Sequence, residues 1–323
     1  MKLFIQIPCL NEEQTLPDVV RDVPKKIDGI EQIELVIIDD GSTDKTVEVA
    51  ERLGIKHILK LGTNRGLAYA FMSGVNYCLE QGADIVVNTD GDNQYMSEDI
   101  EKLVQPVIED KADIVVGSRP IFKHKEFSMV KKFFQILGSM TLRLISKTRI
   151  KDAPSGFRAM SRKACFQLYV YSKFSYTMET LIQAGNSNMR VTSVDVRVNP
   201  KTRDSRLFRN NFEHIRKSGT TIMNMFVLYR PGRFFSIVAS LFLLPAFFLG
   251  VRFIYLVFIT ANPDPERTYM PSLILLAIFA FIGIFSIFLG IIGELIKQQR
   301  KLMEDVNKNV KEFKYQKLKT GNK

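Results

Sequence analysis

Cysteine is scarce in this 323-residue chain, and the three that occur, Cys9, Cys78 and Cys165, have no C-x-x-C spacing. An odd, scattered set excludes a disulfide framework and a zinc knuckle, and it suits a reducing compartment. No G-x-G-x-x-G follows the first apolar run and no G-x-x-x-x-G-K-[ST] occurs anywhere, which speaks against a dinucleotide-binding oxidoreductase and a P-loop enzyme. Internal repeats and low-complexity linkers are also missing. The first residues, 1–8, lack the long apolar core and small-residue cleavage site of a signal peptide and read as a buried strand.

What is abundant is positive charge, and it is localised. The net charge is +11. Residues 200–233 carry about +6 and residues 297–323 about +6, which leaves about −1 on the rest. Both basic blocks flank the two longest apolar stretches, so the basicity reads as membrane-proximal, with membrane lipids as partners and no nucleic acid.

Short apolar runs at 34–38, 55–59, 84–88 and 113–117 follow the first one and alternate with helical patterns near 43–53, 66–81 and 97–110. That alternation predicts an α/β domain, a mostly parallel sheet covered by helices on both faces. Ligands of such sheets sit beyond the carboxyl ends of the strands. The polar loops there are Pro8-Cys9-Leu10-Asn11-Glu12-Glu13, Asp39-Asp40-Gly41-Ser42-Thr43-Asp44 and Thr89-Asp90-Gly91-Asp92-Asn93-Gln94. They are expected to converge on one edge.

Residues 127–145 and 212–226 are amphipathic at helical spacing with basic flanks, and we expect helices in the membrane interface there, the second within 210–233. The uncharged runs 234–251 and 271–293 are long enough to span a bilayer, giving spans of about 234–259 and 270–296. Their connector holds Asp264 and Glu266 against one Arg267, while the outer flanks are strongly basic. The positive-inside rule therefore puts the N-terminal domain, 1–209, and the basic tail, 297–323, in the cytoplasm. The tail reads as a frayed amphipathic helix followed by disorder, and two lone spanning helices favour a homo-oligomer.

Asp90-Gly91-Asp92 is the sharpest constellation. Two carboxylates one residue apart at a strand end can both reach one hard divalent cation, which can in turn grip a diphosphate. Asp39-Asp40 stands at an equivalent strand end, and the two acid clusters would repel unless a cation or a base donor group lay between them.

Taken in order, Pro8-Cys9-Leu10-Asn11-Glu12-Glu13, Asp39-Asp40-Gly41-Ser42, Asn64-Arg65-Gly66, Asp90-Gly91-Asp92-Asn93-Gln94 and Gly117-Ser118-Arg119 resemble a family-2 glycosyltransferase of the GT-A type, a Rossmann-like architecture. Asp152-Ala153-Pro154-Ser155-Gly156-Phe157-Arg158 and Arg203-Asp204-Ser205-Arg206-Leu207 are similar to segments of polyprenyl-phosphate glycosyltransferases, the dolichol-phosphate mannose synthase branch. The acceptor-side motif departs from that pattern: Asp204 and Arg206 stand where relatives often carry glycine and lysine.

The resemblance implies that Pro8, Asn11, Glu12, Asp39, Asp40, Gly66 and Asp90 hold the nucleotide. It assigns Asp90, Asp92 and Gln94 to Mg²⁺ or Mn²⁺ and the donor diphosphate, and Arg119, Ser155, Arg203 and Arg206 to the lipid phosphate. Asp152 reads as a loop cap and Glu179 as a structural acid, each able to orient the sugar. The implied reaction is inverting transfer of a hexose or N-acetylhexosamine, UDP-linked, from a nucleotide-sugar donor to the acceptor undecaprenyl phosphate for envelope glycan modification. GDP-mannose stays open as donor, as does a catalytically silent membrane scaffold. A processive polysaccharide synthase is excluded: it needs a Q-x-x-R-W segment, and this chain has no tryptophan.

Overall fold

The computed structural model describes residues 1–119, 150, 152–170, 176–199, 220, 223–224, 226–259 and 270–320. It divides into two compact units, Met1–Ser218 with Glu304–Lys323, and Gly219–Met303. The sequence-derived helices around 127–145 and 212–226, and Arg203 and Arg206, lie wholly or mostly outside the described residues.

The first unit is built on a seven-stranded sheet of order β3-β2-β1-β4-β6-β5-β7. The strands are β1 (Lys2–Cys9), β2 (Gln32–Asp39), β3 (His57–Lys60), β4 (Ile85–Asn88), β5 (Ile114–Ser118), β6 (Arg158–Ser161) and β7 (Val191–Asp195). Pairing is parallel except at β6, which runs antiparallel to both β4 and β5. The strands β1, β4 and β5 are buried almost throughout, in keeping with the near-continuous apolar runs of strands covered on both faces. Helices α1 (Leu16–Arg21), α2 (Thr46–Arg52), α3 (Leu67–Glu80), α4 (Ile100–Ile108), α5 (Arg162–Gln167) and α6 (Tyr176–Asn186) follow the chain around it. From β1 the chain steps outward through β2 to β3 and then returns to set β4 on the other side of β1. A crevice at the carboxyl ends of β1 and β4 is the consequence, the usual ligand position in open α/β sheets.

The second unit holds α7 (Pro231–Ile254), one wider helical turn at Tyr255–Ile259, and the start of α8 (Met270–Thr320). Pro231–Phe258 and Met270–Tyr315 are long and apolar enough to cross a membrane. The two helices meet through small residues. A Cβ on Gly283 would lie 2.5 Å from Leu243 Cγ, and one on Gly293 2.5 Å from Pro231 Cβ, so glycine permits the close approach. Glu294 accepts from the Gly232 amide at 3.3 Å, satisfying an amide of the first turn of α7.

The tail differs from the sequence expectation. Instead of fraying, residues 304–320 continue α8, and they belong to the first unit. Lys311 Nζ donates to Leu168 O at 2.9 Å, Tyr315 stacks on Phe166 at 6.3 Å, and Lys314 pairs with Glu80 at 2.8 Å. Burying Tyr315 and Lys311 supplies the packing that an isolated basic helix would lack.

Candidate active site

Three loops meet at the carboxyl ends of β1, β2 and β4, as the strand pattern predicts. Asn11, in the left-handed region at φ 58, turns its side chain back so that Oδ1 accepts from the Thr43 amide at 2.7 Å. Its own amide donates to Ser42 Oγ at 3.0 Å. The Glu12 amide donates to Thr46 Oγ1 at 2.8 Å, and the Thr15 hydroxyl lies 2.8 Å from Glu12 Oε2 and 2.7 Å from the Gly91 carbonyl. The first loop is thus bonded to both of the others.

The paired acids after β2 are held by backbone amides. Asp39 Oδ1 accepts from the Ser42 amide at 3.0 Å. Asp40 Oδ1 and Oδ2 accept from the amides of Arg65 and Gly66 at 2.8 and 2.9 Å. Backbone donors compensate these nearly buried acids. Gly41 sits at φ +83 with an ideal Cβ position 2.7 Å from the Asn64 nitrogen, so only glycine fits where the two loops touch. Gly66 precedes α3 with open space above it. Pro8 is buried in β1, and its carbonyl oxygen is 3.3 Å from a Cβ built on Gly91. Cys9 lies among Glu12, Asp39, Asp44 and Asp90, and burial together with those charges pushes its thiol well up.

Asp90 is the exception among the acids. No hydrogen bond from a described residue ends on its carboxylate. Protein crowding and the charge of Asp92 push its carboxyl up to about 7, although Arg119 and Arg158 pull the other way. Asp92 accepts from the Gln94 amide at 3.1 Å, and the Gln94 side chain is exposed. Hard oxygen donors with one carboxylate left uncompensated fit a divalent cation. No three His, Cys, Asp or Glu side chains form a complete cage among the described residues. Two carboxylates completed by phosphate oxygens and water suit Mg²⁺, which seldom uses an all-protein cage.

Against Asp90 lies the loop before β6. A Cβ on Gly156 would sit 3.0 Å from Asp90 Oδ1 and 2.6 Å from Tyr176 Oη. Asn88, wholly buried, donates to the Gly156 carbonyl at 2.8 Å. Beneath the loop the guanidinium of Arg158 is fully buried and donates to the carbonyls of Ala153, Ser155 and Thr177 at 2.7, 2.8 and 2.7 Å and to Thr180 Oγ1 at 2.6 Å. Burial without a bonded carboxylate lowers it to about 10. The same loop supplies Asp152, whose carboxylate takes Arg119 in a fork: Nε to Oδ2 at 2.7 Å and Nη2 to Oδ1 at 3.0 Å. Asp152 is completely buried and the Arg119 side chain 19% exposed, so the pair keeps the guanidinium charged.

Of the residues marked from sequence, Asp90, Asp92 and Arg119 come together around this loop. Ser155 joins them with its hydroxyl buried, 3.3 Å from Tyr95 Oη. Glu179 is buried within α6. Sequence reasoning missed Asn88 and Tyr95, which carry no local signal, and quoted Arg158 within its motif without giving it a role. Asn199, also missed, donates to the Asn93 carbonyl at 2.9 Å, tying the chain after β7 to the acidic loop.

The comparisons with known proteins agree with this geometry. The model of glycosyl transferase family 2 matches residues 4–168. The UDP-N-acetylglucosamine–dolichyl-phosphate N-acetylglucosaminyltransferase of Methanococcus voltae is 30% identical over 222 residues, covering 60% of this chain and 84% of that protein. The undecaprenyl-phosphate mannosyltransferase of Micrococcus luteus is 28% identical over 165 residues, 49% of this chain and 66% of that one. Among solved structures, glucosyl-3-phosphoglycerate synthase of Mycobacterium tuberculosis, crystallised with Mn²⁺, UDP and phosphoglyceric acid, superposes with a TM-score of 0.54 at 19% identity. It covers 70% of this chain and 77% of that one, a likeness of fold. With a GT-A sheet, three acid-bearing loops at its switch point and a family match over half its length, the chain is a glycosyltransferase and belongs to glycosyl transferase family 2.

Proposed function

We propose that the chain transfers a hexose or N-acetylhexosamine from a UDP-sugar to undecaprenyl phosphate at the cytoplasmic face of a bacterial inner membrane, with inversion at the anomeric carbon. One observation carries the reading. A single short loop, 152–157, abuts Asp90 through Gly156 and holds Arg119 through Asp152, which joins a cation-seeking acid to a phosphate-seeking arginine. Two apolar helices and relatives named for polyprenyl-phosphate acceptors support a lipid acceptor.

The acceptor phosphate carries roughly −1.5 to −2 charge, so its oxygen is nucleophilic without a general base. That oxygen forms the new bond to the anomeric carbon as the bond to the nucleoside diphosphate breaks, and no proton need move. Positioning and charge compensation then supply the catalysis. A divalent cation held by Asp90, Asp92 and Gln94 would neutralise charge on the leaving diphosphate. Arg119 presents Nη1, which has no hydrogen-bond partner among the described residues, to the incoming phosphate, with Ser155, Arg203 and Arg206 as further contacts. Asn11, Glu12 and Asp39 border the nucleoside. Pro8, Asp40 and Gly66 shape that pocket, since both Asp40 oxygens are already committed.

The test is transfer itself. Membranes carrying the chain are incubated with labelled UDP-glucose, UDP-N-acetylglucosamine or GDP-mannose; the mannosyl donor belongs in the panel because relatives include mannosyltransferases. Label from a UDP-sugar should enter the solvent-extractable lipid and stop doing so with EDTA. Label remaining in water with every donor would refute the proposal.

A further inference from the structure

Tyr95 is assigned no part in the reaction by its sequence, yet it sits where the two halves of the site join. It follows Gln94 directly and is 2% exposed. Its Oη lies 3.3 Å from Ser155 Oγ, and among the described residues that hydroxyl has no other side-chain hydrogen bond. Its ring stacks on Phe157 at 5.0 Å with an interplanar angle of 25°, and the Arg119 guanidinium carbon is 6.0 Å from its centroid. The backbone is fixed as well. Tyr95 bridges Val198, the next amide, Met96, donates to Arg197 O at 3.4 Å, and Gln94 O accepts from Asn199 at 3.0 Å.

We propose that Tyr95 is a positioning residue for the lipid-phosphate acceptor, its hydroxyl tying the loop that carries Asp90 and Asp92 to the loop that carries Asp152 and Ser155. The inference rests on the polyprenyl-phosphate reading above. Through the second loop the tie acts on Arg119, because Asp152 holds that guanidinium in a fork that tolerates little displacement. Either hydroxyl can donate across this contact, and it is the side-chain tie between the two loops that Tyr95 provides. The ring performs a separate task, filling the space between Phe157 and Arg119. A change from tyrosine to phenylalanine therefore removes the tie while keeping the packing.

The experiment compares the parent, Y95F, S155A and Y95F/S155A as full chains in the same membranes. It records acceptor KM and kcat, and binding of UDP with Mn²⁺ by calorimetry. Y95F should lose about five- to tenfold in kcat/KM for the lipid phosphate, the scale of one buried hydrogen bond, with UDP binding within about twofold of the parent. Y95F should add nothing in the S155A background, since the tie is already gone. Parent-like acceptor kinetics in Y95F, an equal loss of UDP binding, or losses that multiply in the double variant would each overturn the assignment. Failure of the parent to transfer would instead count against the polyprenyl-phosphate reading.

Discussion

Replacing both members of the Arg119 and Asp152 pair separates what that pair does for the fold from what it does for the reaction. Asp152 is entirely covered and the Arg119 side chain 81% covered, so removing either partner strands a desolvated charge. Breaking a buried pair in this way costs about 3–5 kcal/mol. Arg119→Met leaves the Asp152 carboxylate, among the described residues, with the backbone amide of residue 119 alone, 3.2 Å away, and belongs at the upper end of that range. Asp152→Leu leaves a guanidinium with some access to water and belongs nearer the lower end. Substituting the pair together, R119M/D152L, removes both charges and should recover most of the stability lost in either single variant. At roughly 2–4 °C per kcal/mol for a unit of this size, each single variant should melt about 6–20 °C below the parent and the double variant closer to it. Melting is followed by intrinsic tyrosine fluorescence in detergent, with lipid-linked transfer measured on the same samples. The double variant should be folded and inactive toward the lipid phosphate. Parent-like transfer by R119M/D152L, or single variants that melt with the parent, would refute the reasoning.

Two further outcomes follow from the neighbourhood of Asp90. Its folded-state carboxyl lies near 7, above the usual 3.8, so without a cation the charge opposes folding, by nothing below about pH 4 and fully above about pH 7. In EDTA, Asp90→Asn should melt higher than the parent at pH 8, and the gap should shrink toward pH 5; a variant less stable than the parent at pH 8 would contradict the assignment. Gly156→Ala drives a methyl to 2.6 Å from Tyr176 Oη and 3.0 Å from Asp90 Oδ1. It should cost about 1–3 kcal/mol and weaken Mn²⁺ binding, and unchanged calorimetry would show that the loop yields freely.

The parallel strands were legible because a strand buried on both faces reads as a near-continuous apolar run, as at the start of Ile85–Asn88 and of Ile114–Ser118. β6 gave no such signal: it is four residues long, begins with Arg158, and is held by antiparallel pairing on both edges. Hydropathy assigns arginine to the surface, yet four backbone and side-chain oxygens bury Arg158 completely. The acid loops could be read because acid-bearing loops recur in order at several strand ends, whereas a single Asp-Gly pair would pass for an ordinary turn. Which acid would be left uncompensated could not be read, since the amides of Ser42, Arg65 and Gly66 satisfy Asp39 and Asp40 through loop geometry. Arg119 and Asp152 are 33 residues apart, and β6 alone explains why they meet.

The central claim is that Asp90 and Asp92 bind the donor diphosphate through a divalent ion, and calorimetric titration of UDP into the intact chain tests it most directly. Saturating Mn²⁺ should give one binding event per chain that vanishes in EDTA and in Asp92→Ala, with the variant's melting temperature near that of the parent. Equal UDP affinity with and without Mn²⁺, or in Asp92→Ala, would contradict the account.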